Sequence, residues 1–131
     1  MKKIITFGTF DLFHVGHVNI LCRARELGDY LIVGISTDDL NYKKKRRYPI
    51  YNEKSRASII SSLHCVDKVF FEHSLELKRE YLVKYQADIL VMGDDWKGRF
   101  DEFNDVCDVV YLPRTEGVST TDVINIVKSL H

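Results

Sequence analysis

Short apolar runs recur along the chain and alternate with segments whose apolar positions have helical spacing. The runs predict buried strands, at residues 4–7, 30–35, 69–71, 89–92 and 109–112. The spacing between them predicts helices, at about residues 18–27, 53–63, 77–85 and 120–130. Such alternation is typical of an α/β fold with a mostly parallel, doubly wound sheet of five strands and with helices on both faces.

Ligands of such sheets bind at the carboxyl ends of the strands. The segments to search are therefore the loops that follow strands, at residues 8–15, 37–52, 93–100 and 113–119. Residues 43–48 are a dense charge run, and the nearby Pro49 and Asn52 predict a loop there. Ser119 and Asp122 resemble a capping box that opens the last helix.

Composition narrows the class of protein. The 131 residues are 45% hydrophobic without a biased tract, as expected for one domain over residues 1–131. Nineteen Lys and Arg balance nineteen Asp and Glu, which argues against a nucleic-acid partner. No apolar run has the length of a membrane span or a signal peptide, so we expect a cytoplasmic protein without membrane attachment. Cys22, Cys65 and Cys107 are widely spaced, as is typical of buried reduced thiols.

The loop after the first predicted strand is rich in polar side chains. It has the sequence Gly8-Thr-Phe-Asp-Leu-Phe-His14-Val-Gly16-His17. Two histidines three apart at a helix start can place ring N–H donors beside the unpaired backbone N–H groups of that helix. The loop therefore predicts an anion site. It lacks the glycines of a dinucleotide-binding loop and the lysine of a P-loop.

The pattern Gly-Thr-Phe-Asp-x-x-His-x-Gly-His resembles the signature of the cytidylyltransferases and related nucleotidyltransferases. The likeness extends over nearly the whole chain, with further matching segments at residues 28–31, 36–38, 91–96 and 111–121. It is strongest to the bacterial glycerol-3-phosphate cytidylyltransferases. The resemblance implies a Rossmann-like fold, a homodimer, and synthesis of CDP-glycerol or a similar product for a surface polymer.

The implied reaction is attack by a substrate phosphate oxygen on the α-phosphorus of CTP, with release of pyrophosphate. Such chemistry depends on positioning two polyanions and on neutralising charge, not on a protein nucleophile. The resemblance implies Mg²⁺, held chiefly by the phosphates because this ion retains waters. Asp11 is open between two roles, orienting the first loop or helping to place the ion.

The resemblance also distributes site residues among the loops. His14, His17, Lys44 and Arg114 are the expected catalytic residues, and the run at residues 43–47 matches a basic loop that closes on the phosphates as a lid. Lys44, Arg46, Arg56 and His64 are expected to bind the acceptor. The nucleotide is expected to contact Gly8, Thr9, Phe10, Asp11, His14, Gly16, His17, Gly93, Asp94, Arg114, Thr115, Ser119 and Thr120.

One departure leaves the acceptor open. Where the family commonly has Arg-Tyr-Val-Asp, this chain has His64-Cys-Val-Asp67, and histidine cannot reproduce a bidentate guanidinium. Another polyol, a sugar or an amino-alcohol phosphate is therefore an alternative acceptor to glycerol 3-phosphate. ATP in place of CTP is a second alternative, and a nucleotide-binding module without turnover is a third.

Overall fold

The apolar runs form the strands of a parallel sheet. The computed structural model describes residues 1–130. Within them the sheet has the order β3-β2-β1-β4-β5 and every neighbouring pair is parallel. The strands are β1 (Lys3–Gly8), β2 (Tyr30–Ser36), β3 (Lys68–Glu72), β4 (Ile89–Gly93) and β5 (Asp108–Leu112). The predicted fold class is confirmed.

Helices connect the strands and cover both faces of the sheet. They are α1 (Val15–Glu26), α2 (Asp38–Lys45), α3 (Glu53–Ser61), α4 (Lys78–Lys84) and α5 (Thr120–Ser129). On one face Leu21 and Ala24 of α1 and Ile60 of α3 pack with the side chains of alternate strand positions. On the other face Leu82 of α4 and Phe103 pack with the intervening positions. No helix among residues 1–130 is long and apolar enough to cross a bilayer.

The start of the basic run is helical, so the loop predicted for residues 43–48 is wrong in its first half. Thr37 caps α2 by accepting a hydrogen bond from the N–H of Leu40, and Lys43 to Lys45 form the last turn. Acidic residues in the first turn and basic residues in the last turn both interact favourably with the helix dipole. Arg46 ends the helix in the left-handed conformation, at φ 60°.

The parallel register brings all five carboxyl strand ends to one edge of the sheet. From β1 the chain continues to β2 and β3 on one side, and then crosses to β4 and β5 on the other side. The switch in strand order therefore lies between β1 and β4. The last residues of these strands are Gly8, Ser36, Glu72, Gly93 and Leu112. This edge is where parallel α/β sheets bind ligands.

Candidate active site

The first loop folds back on itself through two residues in the left-handed conformation. Phe10 has φ 56° and Leu12 has φ 46°, values that residues other than glycine rarely adopt. The ring of Phe10 returns over Gly8, where a Cβ would lie 2.8 Å from the ring. Phe10 and Phe13 both pack against His17, each with 5.4 Å between ring centroids. The two phenylalanine rings therefore fix the position of the His17 ring.

The two histidines of this loop have defined ring nitrogens. Nδ1 of His14 accepts a hydrogen bond from the N–H of Gly16 at 3.0 Å, and Nδ1 of His17 accepts one from the N–H of His14 at 3.1 Å. An Nδ1 that accepts a hydrogen bond leaves the proton of a neutral imidazole on Nε2. The rings stack at 3.8 Å between centroids. The loop therefore offers two parallel Nε2–H donors beside the first turn of α1, as an anion site requires.

Burial keeps both rings neutral. It lowers the pKa of His14, and it lowers the pKa of His17 to about 4, with a further lowering by His14 and a partial opposing effect of Asp11. A neutral pair avoids the repulsion of two stacked cations. The histidines therefore act as hydrogen-bond donors near neutral pH and not as charged groups.

We expect ¹⁵N NMR to show the Nε2–H tautomer for both rings at pH 8 and a titration midpoint near 4 for His17. Since the pKa of this group in the unfolded chain is about 6.5, the unfolded state takes up the proton first as the pH falls. The stability contributed by neutral His17 is therefore complete above about pH 6.5 and is lost as the pH falls toward 4. A midpoint near 6.5 in the folded protein would contradict the hydrogen-bond pattern.

Gly16 is required by the position of His14. A Cβ at this position would lie 2.8 Å from Cε1 of His14 and 3.2 Å from Cγ1 of Val118. We expect Gly16→Ala to displace the His14 ring and to lower turnover about a hundredfold, the cost of misplacing a catalytic group by about 1 Å. Steady-state kinetics check this, and circular dichroism should show an unchanged fold. A fully active Gly16→Ala variant would rule out a role for the His14 ring position.

Asp11 is a buried anchor for the neighbouring loop. Its carboxylate accepts hydrogen bonds from the N–H groups of Ile50 at 2.7 Å and Tyr51 at 2.9 Å, and from Leu12 at 3.1 Å. Its carbonyl oxygen accepts a further bond from the hydroxyl of Thr120. Of the two roles left open by the sequence, these contacts support orientation of the first loop.

Arg56 has its donors committed within the protein. The side chain is fully buried, and Nη2 lies 2.7 Å from the Asp38 carboxylate. Three further donors reach the carbonyl oxygens of Tyr51, Thr9 and Ser36 at 2.8–3.0 Å. The acceptor-binding role expected for Arg56 is therefore not supported by its contacts, since four of its five N–H groups bind the protein and the side chain has no exposed surface. Arg56 instead ties the first loop to the ends of β2 and the start of α3.

A cavity of about 990 Å³ opens at the carboxyl edge beside these loops. Several of the expected site residues line it: Gly8, Thr9, Phe10, Asp11, His17, Lys44 and Thr120. Residues that were not expected also line it, among them Glu72, Lys78, Trp96, Arg99 and Phe100. His17 thus borders a chamber large enough for small-molecule substrates, and His14 lies behind it in the stacked pair.

The chamber carries an excess of positive charge. Six cationic side chains line it: Lys44, Lys45, Arg47, Lys78, Arg99 and Lys128. Loss of hydration in the chamber lowers the pKa of the Lys44 ammonium, an effect that Glu72 partly opposes. Burial also lowers the pKa of Lys78, again opposed by Glu72. Anionic ligands would relieve this concentration of cations.

The loop after β5 closes over the start of α1. The hydroxyl of Thr115 accepts a hydrogen bond from the Asn19 amide at 2.8 Å, and Ser119 caps α5 by accepting from the N–H of Asp122. Arg114 is exposed, with Nη1 3.7 Å from an Asp95 carboxylate oxygen. Arg114 therefore stands at the same edge as the histidines, although it does not line the chamber.

Some expected site residues lie elsewhere. His64 is exposed in the turn before β3, at the amino ends of the strands, whereas the chamber is at the carboxyl ends. The expectation that His64 binds the acceptor is therefore corrected, because the sheet separates it from the other site residues of this chain. Arg46 caps α2 without lining the chamber. Gly93 ends β4 and Asp94 follows it, and neither lines the chamber.

Comparison with known proteins decides the family. The sequence model described as Cytidylyltransferase-like matches residues 5–126. The chain belongs to the cytidylyltransferase-like family. A glycerol-3-phosphate cytidylyltransferase of Bacillus subtilis is 49% identical to it, over 94% of this chain and 95% of that protein. The Staphylococcus aureus protein of the same name is 48% identical, over 94% and 92%.

A solved structure of this fold agrees with the sheet topology. The lipopolysaccharide core biosynthesis protein of Thermoplasma volcanium superimposes with a TM-score of 0.76 at 25% identity, over 88% of this chain and 99% of that one. The family resemblance inferred from the first loop is thus confirmed by the sequence and by the fold.

Glu72 and Lys78 are site residues that sequence reasoning missed. Glu72 ends β3 and Lys78 begins α4, so both flank a loop that follows a strand. The rule that ligands bind at carboxyl strand ends applies to this loop as to the others. The short run at residues 69–71 predicts the strand, but no sequence motif marks the loop that follows it.

Proposed function

We propose that this chain transfers CMP from CTP to glycerol 3-phosphate, forming CDP-glycerol and pyrophosphate. The observation that supports it best is the pair of neutral histidines at the start of α1, of which His17 lines a cationic chamber and His14 stacks on His17. The two relatives that match this chain over nearly its full length carry the name of that activity. Both substrates are anionic, which fits the charges of the chamber.

In the proposed mechanism the acceptor phosphate attacks the α-phosphorus of CTP in line with the leaving pyrophosphate. His14 and His17 donate to the nucleotide phosphates, where charge builds on the bridging oxygen. Donors fixed before the reaction stabilise such charge by about 3 kcal/mol each, because they need no reorganisation. Arg114 and the first turn of α5 stand at the same edge of the sheet, and we assign them to the pyrophosphate end.

The acceptor phosphate is assigned to the chamber. Lys44 reaches it from the last turn of α2, and Lys78 reaches it from the first turn of α4. The depressed pKa of each lysine reflects loss of hydration, which a bound phosphate dianion would offset. The basic end of α2 would then close over both phosphates as a lid.

Magnesium fits this site as an ion held by substrate. Among residues 1–130 no group of three or more His, Cys, Asp and Glu side chains is arranged to hold a metal. The Asp11 carboxylate is already an acceptor for three backbone N–H groups. The nucleotide phosphates would hold Mg²⁺, and the ion would supply neutralisation of their charge.

The test is pyrophosphate release with each of CTP, ATP, UTP and GTP, measured against glycerol 3-phosphate and a panel of other phosphorylated alcohols and sugars. We expect release only when CTP and glycerol 3-phosphate are both present, and CDP-glycerol as the product in mass spectrometry. Turnover with ATP, or none with CTP and any acceptor, would contradict the proposal. Omission of Mg²⁺ from the assay tests the metal.

The resemblance to the family also leads us to propose a cytoplasmic homodimer. Multi-angle light scattering at working enzyme concentrations tests the assembly, with a mass twice that of one chain as the expected result. A monomer with full activity would contradict the dimer without affecting the proposed chemistry.

A further inference from the structure

Glu72 and Lys78 form a buried ion pair at the end of the chamber under β3. Nζ of Lys78 lies 2.8 Å from Oε2 of Glu72, and both side chains are at most 6% exposed. The ammonium also lies 3.9 Å from the centroid of the Phe7 ring and 5.3 Å from that of Phe100. The pair is therefore held in place by packing as well as by charge.

One carboxylate oxygen of this pair has no partner among residues 1–130. Oε2 of Glu72 binds Lys78, whereas none of the described side chains or amides donates to Oε1. No buried side-chain oxygen or nitrogen of the described residues is left without a hydrogen bond, so Oε1 must be in contact with solvent. Since Glu72 lines the chamber, Oε1 faces the interior of the chamber.

Oε1 differs from the other carboxylate oxygens of the chamber. Asp11 is committed to the backbone of the neighbouring loop, and Glu102 is exposed at the surface. Glu72 is thus the one buried carboxylate, among the described lining residues, with an oxygen free to accept from a ligand. Oε1 can accept a hydrogen bond, and it shares the chamber with Lys44 and Lys78, which we assign to the substrate phosphate. It therefore suits a substrate that has a hydroxyl group close to its phosphate.

We propose that Glu72 selects the acceptor by accepting a hydrogen bond from a hydroxyl group next to the phosphate ester. This inference rests on the proposed function and specifies its acceptor class as polyol phosphates. A site with a buried acceptor that requires a hydroxyl donor rejects analogues without that hydroxyl, because the carboxylate oxygen then loses both water and partner.

An amino-alcohol phosphate fits this position less well than a polyol phosphate. The charge of Glu72 is already matched by Lys78 at 2.8 Å, and Lys44 shares the chamber. An acceptor ammonium would place a further cation beside these two lysines, at a cost in repulsion. A hydroxyl donates the same hydrogen bond without adding charge.

The experiment compares three acceptors that differ in hydroxyl groups alone, namely glycerol 3-phosphate, 3-hydroxypropyl phosphate and n-propyl phosphate, and adds phosphoethanolamine as the amino-alcohol phosphate. Each is tested with wild-type enzyme, Glu72→Gln and the exposed control Glu76→Gln. We expect wild-type kcat/KM to fall at least about tenfold from glycerol 3-phosphate to 3-hydroxypropyl phosphate, which lacks only the hydroxyl next to the ester, and at least as far to n-propyl phosphate. In Glu72→Gln that ratio should shrink by about tenfold while KM for CTP stays unchanged, because an amide accepts a weaker hydrogen bond than a carboxylate.

Each outcome decides the matter. An equal loss on all acceptors in Glu72→Gln would show that Glu72 only balances the charge of Lys78, and would overturn the inference. If Glu72→Gln fails to fold, the wild-type panel still tests the idea, since equal use of n-propyl phosphate and glycerol 3-phosphate, or preferred use of phosphoethanolamine, refutes hydroxyl selection. Inactivity of the wild-type enzyme with CTP and every acceptor would instead refute the proposed function, and this inference with it.

Discussion

Replacing His17 by alanine is expected to lower turnover at least about a hundredfold, the loss typical of removing one fixed donor to a developing charge. His17 holds its proton on Nε2 because Nδ1 accepts from the N–H of His14 at 3.1 Å. Alanine removes the donor and also the acceptor that fixes the backbone of His14. Fixed-time assays of pyrophosphate release measure the loss of turnover, and circular dichroism checks that the fold is retained.

His73 provides the matched control. It is exposed in the loop after β3 and does not line the chamber, so His73→Ala should retain wild-type turnover. His17→Gln should recover part of the activity, because the glutamine amide places an N–H near the position of Nε2. Wild-type rates in folded His17→Ala would remove this residue from the mechanism.

Replacing Arg56 by alanine is expected to lower the free energy of unfolding by about 3–5 kcal/mol, the range found when one partner of a buried ion pair is removed. The guanidinium is fully buried and bonds three carbonyl oxygens in addition to Asp38. Alanine leaves these oxygens without donors and opens a void. Denaturant titration followed by circular dichroism measures the change.

A second arginine–aspartate pair serves as the comparison. Arg79 and Asp105 lie 2.8 Å apart, but the side chains are 44% and 66% exposed. Exposed pairs of this kind contribute about 0.2–1 kcal/mol, so Arg79→Ala should be nearly neutral. If Arg56→Ala instead kept full stability and raised only the KM for the acceptor, the acceptor-binding role first expected for Arg56 would be restored.

The sequence predicted the juxtaposition of the two histidines and the helix start because these groups are close along the chain. The histidines, the intervening glycine and the helix start are neighbours along the chain, so their spacing alone brings them together. The tautomers were not predictable, since they depend on which backbone N–H groups reach Nδ1. The left-handed conformations of Phe10 and Leu12 that allow this have no signal in those residue types.

The acceptor side was predicted less well because it is assembled from distant segments. Glu72, Lys78 and Lys44 meet only when β3, α4 and α2 are in place. His64 was assigned from its place in a family motif, although the strand predicted at residues 69–71 already put it before the amino end of β3. The helical start of the charge run was predictable in principle, from Thr37 as a cap and the acidic residues that follow it.

The hydrogen bonds that orient the two histidines also disfavour binding of transition-metal ions to the loop. A histidine binds a transition metal through an unprotonated ring nitrogen. In this loop the unprotonated nitrogens are the Nδ1 atoms of His14 and His17, and each is occupied by a backbone N–H. Capture of zinc or copper would require both rings to exchange tautomers and α1 to lose its cap. The hydrogen bonds that orient the pair for the proposed phosphate contact thereby also disfavour binding of those metals.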